Sequence, residues 1–188
     1  MMITESDSPI TTQINPDLNV CIVKENVVTG KKTWYYAKNI VTNDGDLYYA
    51  QQAAEDTPTS DFGGSNGRME LRTGSATPAK ADVFTQVSTP IPTSIQPMTS
   101  LYPKTNDSDS DNTGAGTDVV TYKFEWTTSQ IDTSAGNAIT GGCIIDKNSA
   151  LGTGKKILTH WNFASPASFH KTSTDTLTLY VNHTMNGV

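Results

Sequence analysis

Hydrophobic and polar residues alternate through residues 118–130 with the period of a β-strand. Large apolar side chains occupy every second position: Val120, Tyr122, Phe124 and Trp126. This alternation is typical of a strand with one face in a core and the other in water. Because burial of such side chains stabilises a fold by roughly 1.5–3 kcal/mol each, we predict that this segment is a central strand.

Short β-rich runs separated by turn residues recur along the rest of the chain. Residues 20–28 and 33–42 flank a Gly-containing turn, which predicts a β-hairpin. A second turn at 43–46 is predicted to lead into a third strand at 47–56 that ends in a helical turn. Further strands are predicted at the runs RMELRTG, ITGGCIID, KKILTHWNF and TDTLTLYVNHT.

Two segments depart from this pattern. Residues 76–83 are the best helix candidate, a single short turn with Thr77 as N-cap and Pro78 at the first helical position. Between residues 87 and 104, four prolines exclude a central strand and favour an extended segment that crosses the body. With about eight strands and no long helix, the chain is predicted to be all-β, an antiparallel β-sandwich or jelly-roll-like fold with long loops.

The first eighteen residues differ from this body. They are mostly polar, contain two prolines, and carry isolated apolar residues that include Ile3, Ile10 and Ile14. This pattern is too sparse for a strand and predicts an extended N-terminal arm over 1–18. The length of 188 residues suits one core, so we predict a single β-sandwich domain over 19–188.

Composition excludes several function classes. A net charge of −6 argues against a surface that coats nucleic acid, and the lysine doublets form no basic stripe. No apolar run reaches the roughly 18 residues of a membrane span, and the N-terminus lacks signal-peptide features, so neither membrane nor secretion is predicted. Cys21 and Cys143 lack metal-ligand spacing and are interpreted as buried thiols, with a disulfide as the alternative.

The strongest candidate for chemistry is an acidic segment before the 118–130 strand. Its carboxylates fall at the first, third, fifth and twelfth positions of a loop, the spacing that wraps oxygen ligands around Ca²⁺. These residues are Asp107, Asp109, Asp111 and Asp118. Asn112 stands where Gly is usual, and the last ligand is Asp where Glu is usual. The two interpretations are therefore a calcium site and a solvated acidic loop, and no other cofactor is predicted.

The remaining candidates favour a structural role. His160, His170 and His183 have no carboxylate or cysteine at a diagnostic spacing and are interpreted as surface or interface residues. No catalytic motif is present, and we predict that the protein is not an enzyme. Aromatic residues at 34–36 and 48–49 are interpreted as alternate members of strands in core and interface, with a sugar-binding platform as the alternative.

Two stretches, residues 71–82 (LRTGSATPAKAD) and 159–184 (THWNFASPASFHKTSTDTLTLYVNHT), resemble structural proteins of tailed bacteriophages. Such proteins often carry a strand followed by spaced Gly, Pro and Asp, and end in an aromatic-containing strand followed by a TDTLTV-like run. The resemblance covers about the last two thirds of the chain. It implies a part of the virion: a head decoration or cement protein, a neck or collar component, or a fibre-attachment module.

Together, the resemblance and the strand pattern predict a capsid decoration (cement) protein located in the virion and assembled in the host cytoplasm. The expected partners are the major capsid protein or other virion proteins, and further copies of this chain. The alternatives are a neck, collar or tail-fibre attachment protein and, from another class, a Ca²⁺-dependent carbohydrate-binding β-sandwich. Since apolar and aromatic residues dominate interface energetics, the predicted anchors are Ile3, Ile10, Ile14, Tyr35 and Tyr48.

Overall fold

The computed structural model describes residues 18–64, 66–74, 76–84, 89–146, 155–163 and 168–185. Within these ranges the chain forms nine strands and one α-helix. The elements are β1 Val20–Asn26, β2 Lys32–Val41, α1 Asn43–Ala53, β3 Gly67–Thr73, β4 Thr89–Pro90, β5 Gln96–Pro97, β6 Val119–Trp126, β7 Gly141–Asp146, β8 Ile157–Asn162 and β9 Asp175–Thr184. The predicted arm over 1–18 lies, except for its last residue, outside the described residues.

All nine strands belong to one antiparallel sheet in the order β4-β3-β7-β8-β2-β1-β9-β6, with β5 also paired to β3. β2 is shared between two halves of this sheet. Its first part, up to Ala37, pairs with β1, and its last part, from Lys38, pairs with β8. The curled sheet is sandwich-like and confirms the predicted all-β class, whereas a jelly-roll topology stays a prediction.

The main core lies between the two halves. Ile22, Phe124 and Leu179 come from one half, and Met69 and Ile144 come from the other, and all five are fully buried in one cluster. Two smaller clusters, one centred on Cys21 and one on Cys143, lie on the outer faces of the two halves. Both cysteines are free and buried, which confirms the interpretation as buried thiols.

The 118–130 strand is correctly predicted as a strand but not as a central one. β6 is the last strand of the sheet, and its free edge is paired with the Pro-rich segment, where Lys104 and Thr121 exchange two backbone hydrogen bonds. The same segment pairs with β3 through β4 and β5. It therefore crosses between the two ends of the sheet, as its prolines predict, and covers both edges.

The predicted third strand at 47–56 is wrong, because residues 43–53 form helix α1. Thr42 is the N-cap and accepts a hydrogen bond from the Gly45 amide, while Asp44 and Asp46 favour the positive end of the helix dipole. Gly45 is required where α1 meets β8, since a Cβ there would lie 2.2 Å from the Leu158 carbonyl oxygen. The NDGD sequence begins a helix and not a hairpin turn.

The predicted helical turn at 76–83 is also wrong. Residues 76–84 have no α-helix, and Thr77 caps no helix. The turn is instead closed by Asp82, whose side chain accepts from the Ala79 amide at 2.7 Å and whose own amide donates to the Ala79 carbonyl. A carboxylate that bonds the backbone locally competes with helix formation. The segment lies across the outer face of β7 and β8.

Candidate functional site

The aspartates of the predicted cation site lie on the acidic loop, which we define as residues 105–118. The first three aspartates each form an ion pair with a lysine outside the loop. These pairs are Asp107–Lys104 at 2.9 Å, Asp109–Lys123 at 2.9 Å and Asp111–Lys32 at 2.6 Å. The carboxylates therefore face protein cations, and the expectation of a solvated loop is wrong for Asp107, which is buried.

The acidic loop covers the outer face of β1, β9 and β6. Tyr180 donates its hydroxyl to Asp109 at 2.5 Å. Asn112 and Asn182 exchange two side-chain hydrogen bonds of 2.9 and 3.2 Å, and the Cys21 thiol donates to a loop carbonyl. These contacts bury polar side chains on the outer face of the sheet. The alternation of polar and apolar residues along the strands predicts that the same side chains are exposed to water.

The electrostatics of the acidic loop favour charged carboxylates. Burial by itself would raise the pKa of Asp107, but hydrogen bonds from Asn112 and Lys104 outweigh burial and hold this pKa below its usual value. Burial also acts to raise the pKa of Asp109, and hydrogen bonds from Tyr180 and the paired lysine lower it overall. Charge-assisted hydrogen bonds of this kind are stronger than neutral ones, so they hold the loop on the sheet at neutral pH.

Calcium binding by the acidic loop stays a prediction. Among the described residues, no group of three or more His, Cys, Asp and Glu side chains is arranged to hold a metal ion. Asp118, the fourth expected ligand, is exposed at the end of the loop. A calcium ion would compete with the lysine ammonium groups for the carboxylates. Calorimetric titration with Ca²⁺, combined with the melting temperature, tests this hypothesis directly.

The predicted interface anchors fall into two groups. Ile3, Ile10 and Ile14 lie outside the described residues. Tyr35 is half-buried and stacks on Phe169, with 4.2 Å between the ring centroids. One edge of Tyr35 thus remains accessible, and its role as an anchor stays a prediction.

Tyr48 is not exposed, contrary to expectation. It packs edge-on against Phe62, with ring centroids 5.3 Å apart, and against Tyr49 at 5.5 Å. The reason is the helical conformation of this segment, which turns Tyr48 toward the core and leaves Leu47 outside. A strand assignment cannot place these neighbours correctly, since the helical period differs.

The most exposed apolar side chains of the β1–β2 hairpin are at its tip. Val27 is 53% exposed, Val28 is 75% exposed, and Trp34, on the outer face of β2, is 38% exposed. A shallow depression of about 310 Å³ lies beside the tip. It is lined by Lys24, Asn26, Thr29, Lys31, Thr33 and Asp175. The sequence does not mark these valines as surface residues, because they continue the apolar pattern of the first predicted strand.

A buried row of polar residues crosses the other half of the sheet. Glu70, Cys143 and His160 occupy directly paired positions on β3, β7 and β8. Arg72 forms an ion pair with Glu70, and Asp82 of the 76–84 segment lies 2.8 Å from His160 Nδ1. The strand register, which the sequence does not reveal, brings these distant residues together.

This row contains the residue types of a nucleophilic site, but its environment suppresses that chemistry. Burial raises the pKa of Cys143 to about 12, so the thiol remains protonated. Burial also lowers the pKa of His160 despite the adjacent Asp82 carboxylate. Cys143 and His160 are at most 1% exposed. The arrangement supports a structural role, in which the Asp82–His160 contact holds the 76–84 segment on the sheet.

The three histidines are expected at the surface or in an interface. This is wrong for His160 and His183, which are buried, whereas His170 is exposed, in agreement with the expectation. His183 Nδ1 lies 2.5 Å from the Tyr49 hydroxyl, which lies 2.9 Å from the Tyr122 hydroxyl. Burial lowers the pKa of His183 to about 3, so the ring is neutral at neutral pH. This chain of contacts joins α1 to β6 and β9.

Among the described residues, no helix is both long and apolar enough to cross a membrane. In comparisons with protein families, with curated proteins and with solved structures, the chain gives no significant match.

Proposed function

We propose that this protein is a structural component of a tailed-bacteriophage virion, a capsid decoration (cement) protein that acts by adhesion. The observation that carries the proposal is the exposed apolar tip of the β1–β2 hairpin. Val27 and Val28 lie in the turn between β1 and β2, two strands whose inner faces belong to the main core. Apolar residues held on a rigid element lose little conformational entropy on binding, which makes them effective anchors.

The resemblance to virion proteins concerns a different part of the molecule. The first stretch, 71–82, contributes to β3, and the second, 159–184, contains most of β8 and all of β9. These strands belong to the sheet. In the proposal they provide a stable scaffold, and the hairpin and the N-terminal arm provide the contacts with other virion proteins.

A cryo-electron microscopy reconstruction of the particle tests the proposal. A cement protein is expected at many symmetry-related sites over the head, where repeated weak contacts add up to tight binding. A single ring at the neck or tail would instead support the alternative of a collar or fibre-attachment protein. Absence of the chain from purified particles would refute both.

Trp34 favours a second candidate, a carbohydrate-binding module. Trp126 and Trp161 are buried, whereas Trp34 is partly exposed on the outer face of β2, and aromatic faces pack on sugars. Glycan-array binding that is lost in Trp34→Ala would support this function. Binding that also depends on Ca²⁺ would connect it to the acidic loop, whereas an array without signal would remove this candidate.

A further inference from the structure

The tip of the β1–β2 hairpin combines apolar and positive character. Val27 and Val28 are its exposed apolar side chains, and Lys31 is exposed beside them. Gly30 adopts a positive φ of 69°, which closes the turn and fixes how the tip projects. On a chain with net charge −6, this tip is a local basic and apolar surface.

The outward face of α1 has the opposite charge and also exposes apolar atoms. Leu47 is 47% exposed, and Ala50 and Ala54 follow on the same side at helical spacing. The helix has no basic residue in its last turn and is followed by the exposed residues Glu55 and Asp56. These carboxylates add to the negative end of the helix dipole, so this end of α1 attracts a cation.

We infer that the hairpin tip of one copy docks on the outward face of α1 of a second copy, so that the chain assembles head to tail. Val27 and Val28 would pack on Leu47 and the exposed alanines. Lys31 would approach the carboxylates at the end of α1. The inference specifies a partner for the proposed adhesive tip, but it concerns self-association in solution and requires no particle.

The fold prevents a molecule from making this contact with itself. The hairpin tip precedes the first residue of β2 and α1 follows its last residue, so the ten residues of β2 separate the two surfaces. At about 3.3 Å per residue this distance is roughly 30 Å. A contact that runs in one direction between two different surfaces is heterologous, and its repetition produces a closed ring or an open filament.

Two variants of the full-length chain break one surface each. Val28→Asp places a charge at the hairpin tip, and Glu55→Lys combined with Asp56→Lys reverses the charge at the end of α1. Both variants change only exposed residues, so we expect each to fold like the wild type. Circular dichroism checks that the fold is kept. Light scattering after size exclusion should show concentration-dependent oligomers of the wild type and association at least about tenfold weaker in each variant. Leu101→Ser, at a side chain 88% exposed elsewhere, is the matched control and should associate normally.

Mixing the two variants provides the decisive measurement. The Val28→Asp chain keeps an intact α1 surface, and the doubly substituted chain keeps an intact hairpin. Head-to-tail contact therefore predicts a one-to-one dimer in the mixture that cannot grow further, at a concentration where each variant alone is monomeric. A monomeric mixture, or a wild type that remains monomeric at every concentration, would overturn the inference. Neither result depends on where a reconstruction locates the chain in a particle. Self-association and the proposed function are therefore tested independently, and one can be refuted without the other.

Discussion

Lys171 is fully buried and is held by backbone oxygens. Its ammonium group donates to the carbonyls of Thr128, Ile131 and Thr172 at 3.1–3.3 Å. The Thr133 amide donates to the Lys171 carbonyl, and the Thr133 hydroxyl accepts from the Lys171 amide. Since a buried charge is tolerated only when it is hydrogen-bonded, this arrangement fixes the loop after β6 against the segment that leads into β9.

Replacing Lys171 by Met tests this role. The substitution keeps a long side chain but leaves three carbonyl oxygens without a donor, so we expect the free energy of unfolding to fall by about 1–3 kcal/mol. Urea unfolding monitored by tryptophan fluorescence measures the change. Lys38→Met, at an exposed position of β2, should have little effect. Equal free energies of unfolding for the two variants would show that the contacts of Lys171 with the carbonyl groups do not stabilise the fold.

Asp109 gives a prediction about pH. The pKa of Asp109 in the folded state lies below its unfolded value. Its contribution to stability is therefore fully present above the unfolded pKa of about 3.9 and is lost as the pH falls through the folded pKa. Asp109→Asn should lower the free energy of unfolding at neutral pH by roughly 1 kcal/mol, a value reduced by partial solvent screening.

The difference between Asp109→Asn and the wild type should shrink in acid, where the wild-type carboxylate is also protonated. Urea unfolding at neutral and strongly acidic pH measures both values. Asp118→Asn, on the exposed end of the same loop, controls for the loss of one negative charge. A difference that stays constant with pH would contradict the assignment.

At the scale of elements, the sequence predicts strands well where one face meets the core. β6 is correctly found because Tyr122, Phe124 and Trp126 alternate and are all buried. Prediction fails at α1, where the sequence NDGD suits either a turn or a helix start. There the tertiary contact of Gly45 with β8 selects the helix. The predicted helical turn fails in the same way, because the Asp82 carboxylate bonds the Ala79 amide and His160, a partner 78 residues away.

The candidate site was predictable only in part. The spacing of the aspartates identifies the acidic loop as the candidate site, but it does not reveal that Asp107, Asp109 and Asp111 face lysines of the same chain. Lys32 lies 79 residues from Asp111 and Lys123 lies 14 residues from Asp109, and the strand register brings both lysines to the loop. Thr121 and Lys123 alternate with the core residues of β6 and are polar. Both side chains are nevertheless mostly covered, because the acidic loop crosses this face of the sheet.

The acidic loop should protect the Cys21 thiol. Asn112 donates to Asp107 and Asn182 from its side-chain amide, so Asn112→Ala is expected to loosen the loop and speed alkylation of Cys21 several-fold. Cys143 lies under the other half of the sheet and should label as slowly as in the wild type. Mass spectrometry of the two cysteine-containing peptides measures both rates.

The control for this experiment is Asn137→Ala, at an exposed position outside the acidic loop. It should leave both labelling rates unchanged. If Asn112→Ala accelerates Cys21 and Cys143 equally, the whole fold opens and the loop is not a separate cover. An unchanged Cys21 rate would also contradict the protective role.

At the scale of the whole molecule, two features join the halves of the sheet into one body. β2 pairs with β1 over its first part and with β8 over its last part. The Pro-rich segment pairs with β3 and then with β6, and Trp126 donates from its indole to the Ser94 carbonyl at 2.9 Å. Since the halves also share one core, the described body should be stable without help from the residues before β1.

Removing residues 1–17 tests the division between arm and body. The contacts of β1 begin at Asn19, whose carbonyl accepts from the Asn182 amide and whose side chain accepts from the Asn39 amide. The truncated chain keeps these bonds, so its melting temperature should match that of the full chain within a few degrees. If the arm carries contacts to other virion proteins, as proposed, the truncated chain should fold but fail to join particles in a competition with full-length protein. Normal incorporation would show that the arm is not an anchor, whereas a large fall in melting temperature would show that the arm belongs to the folded body.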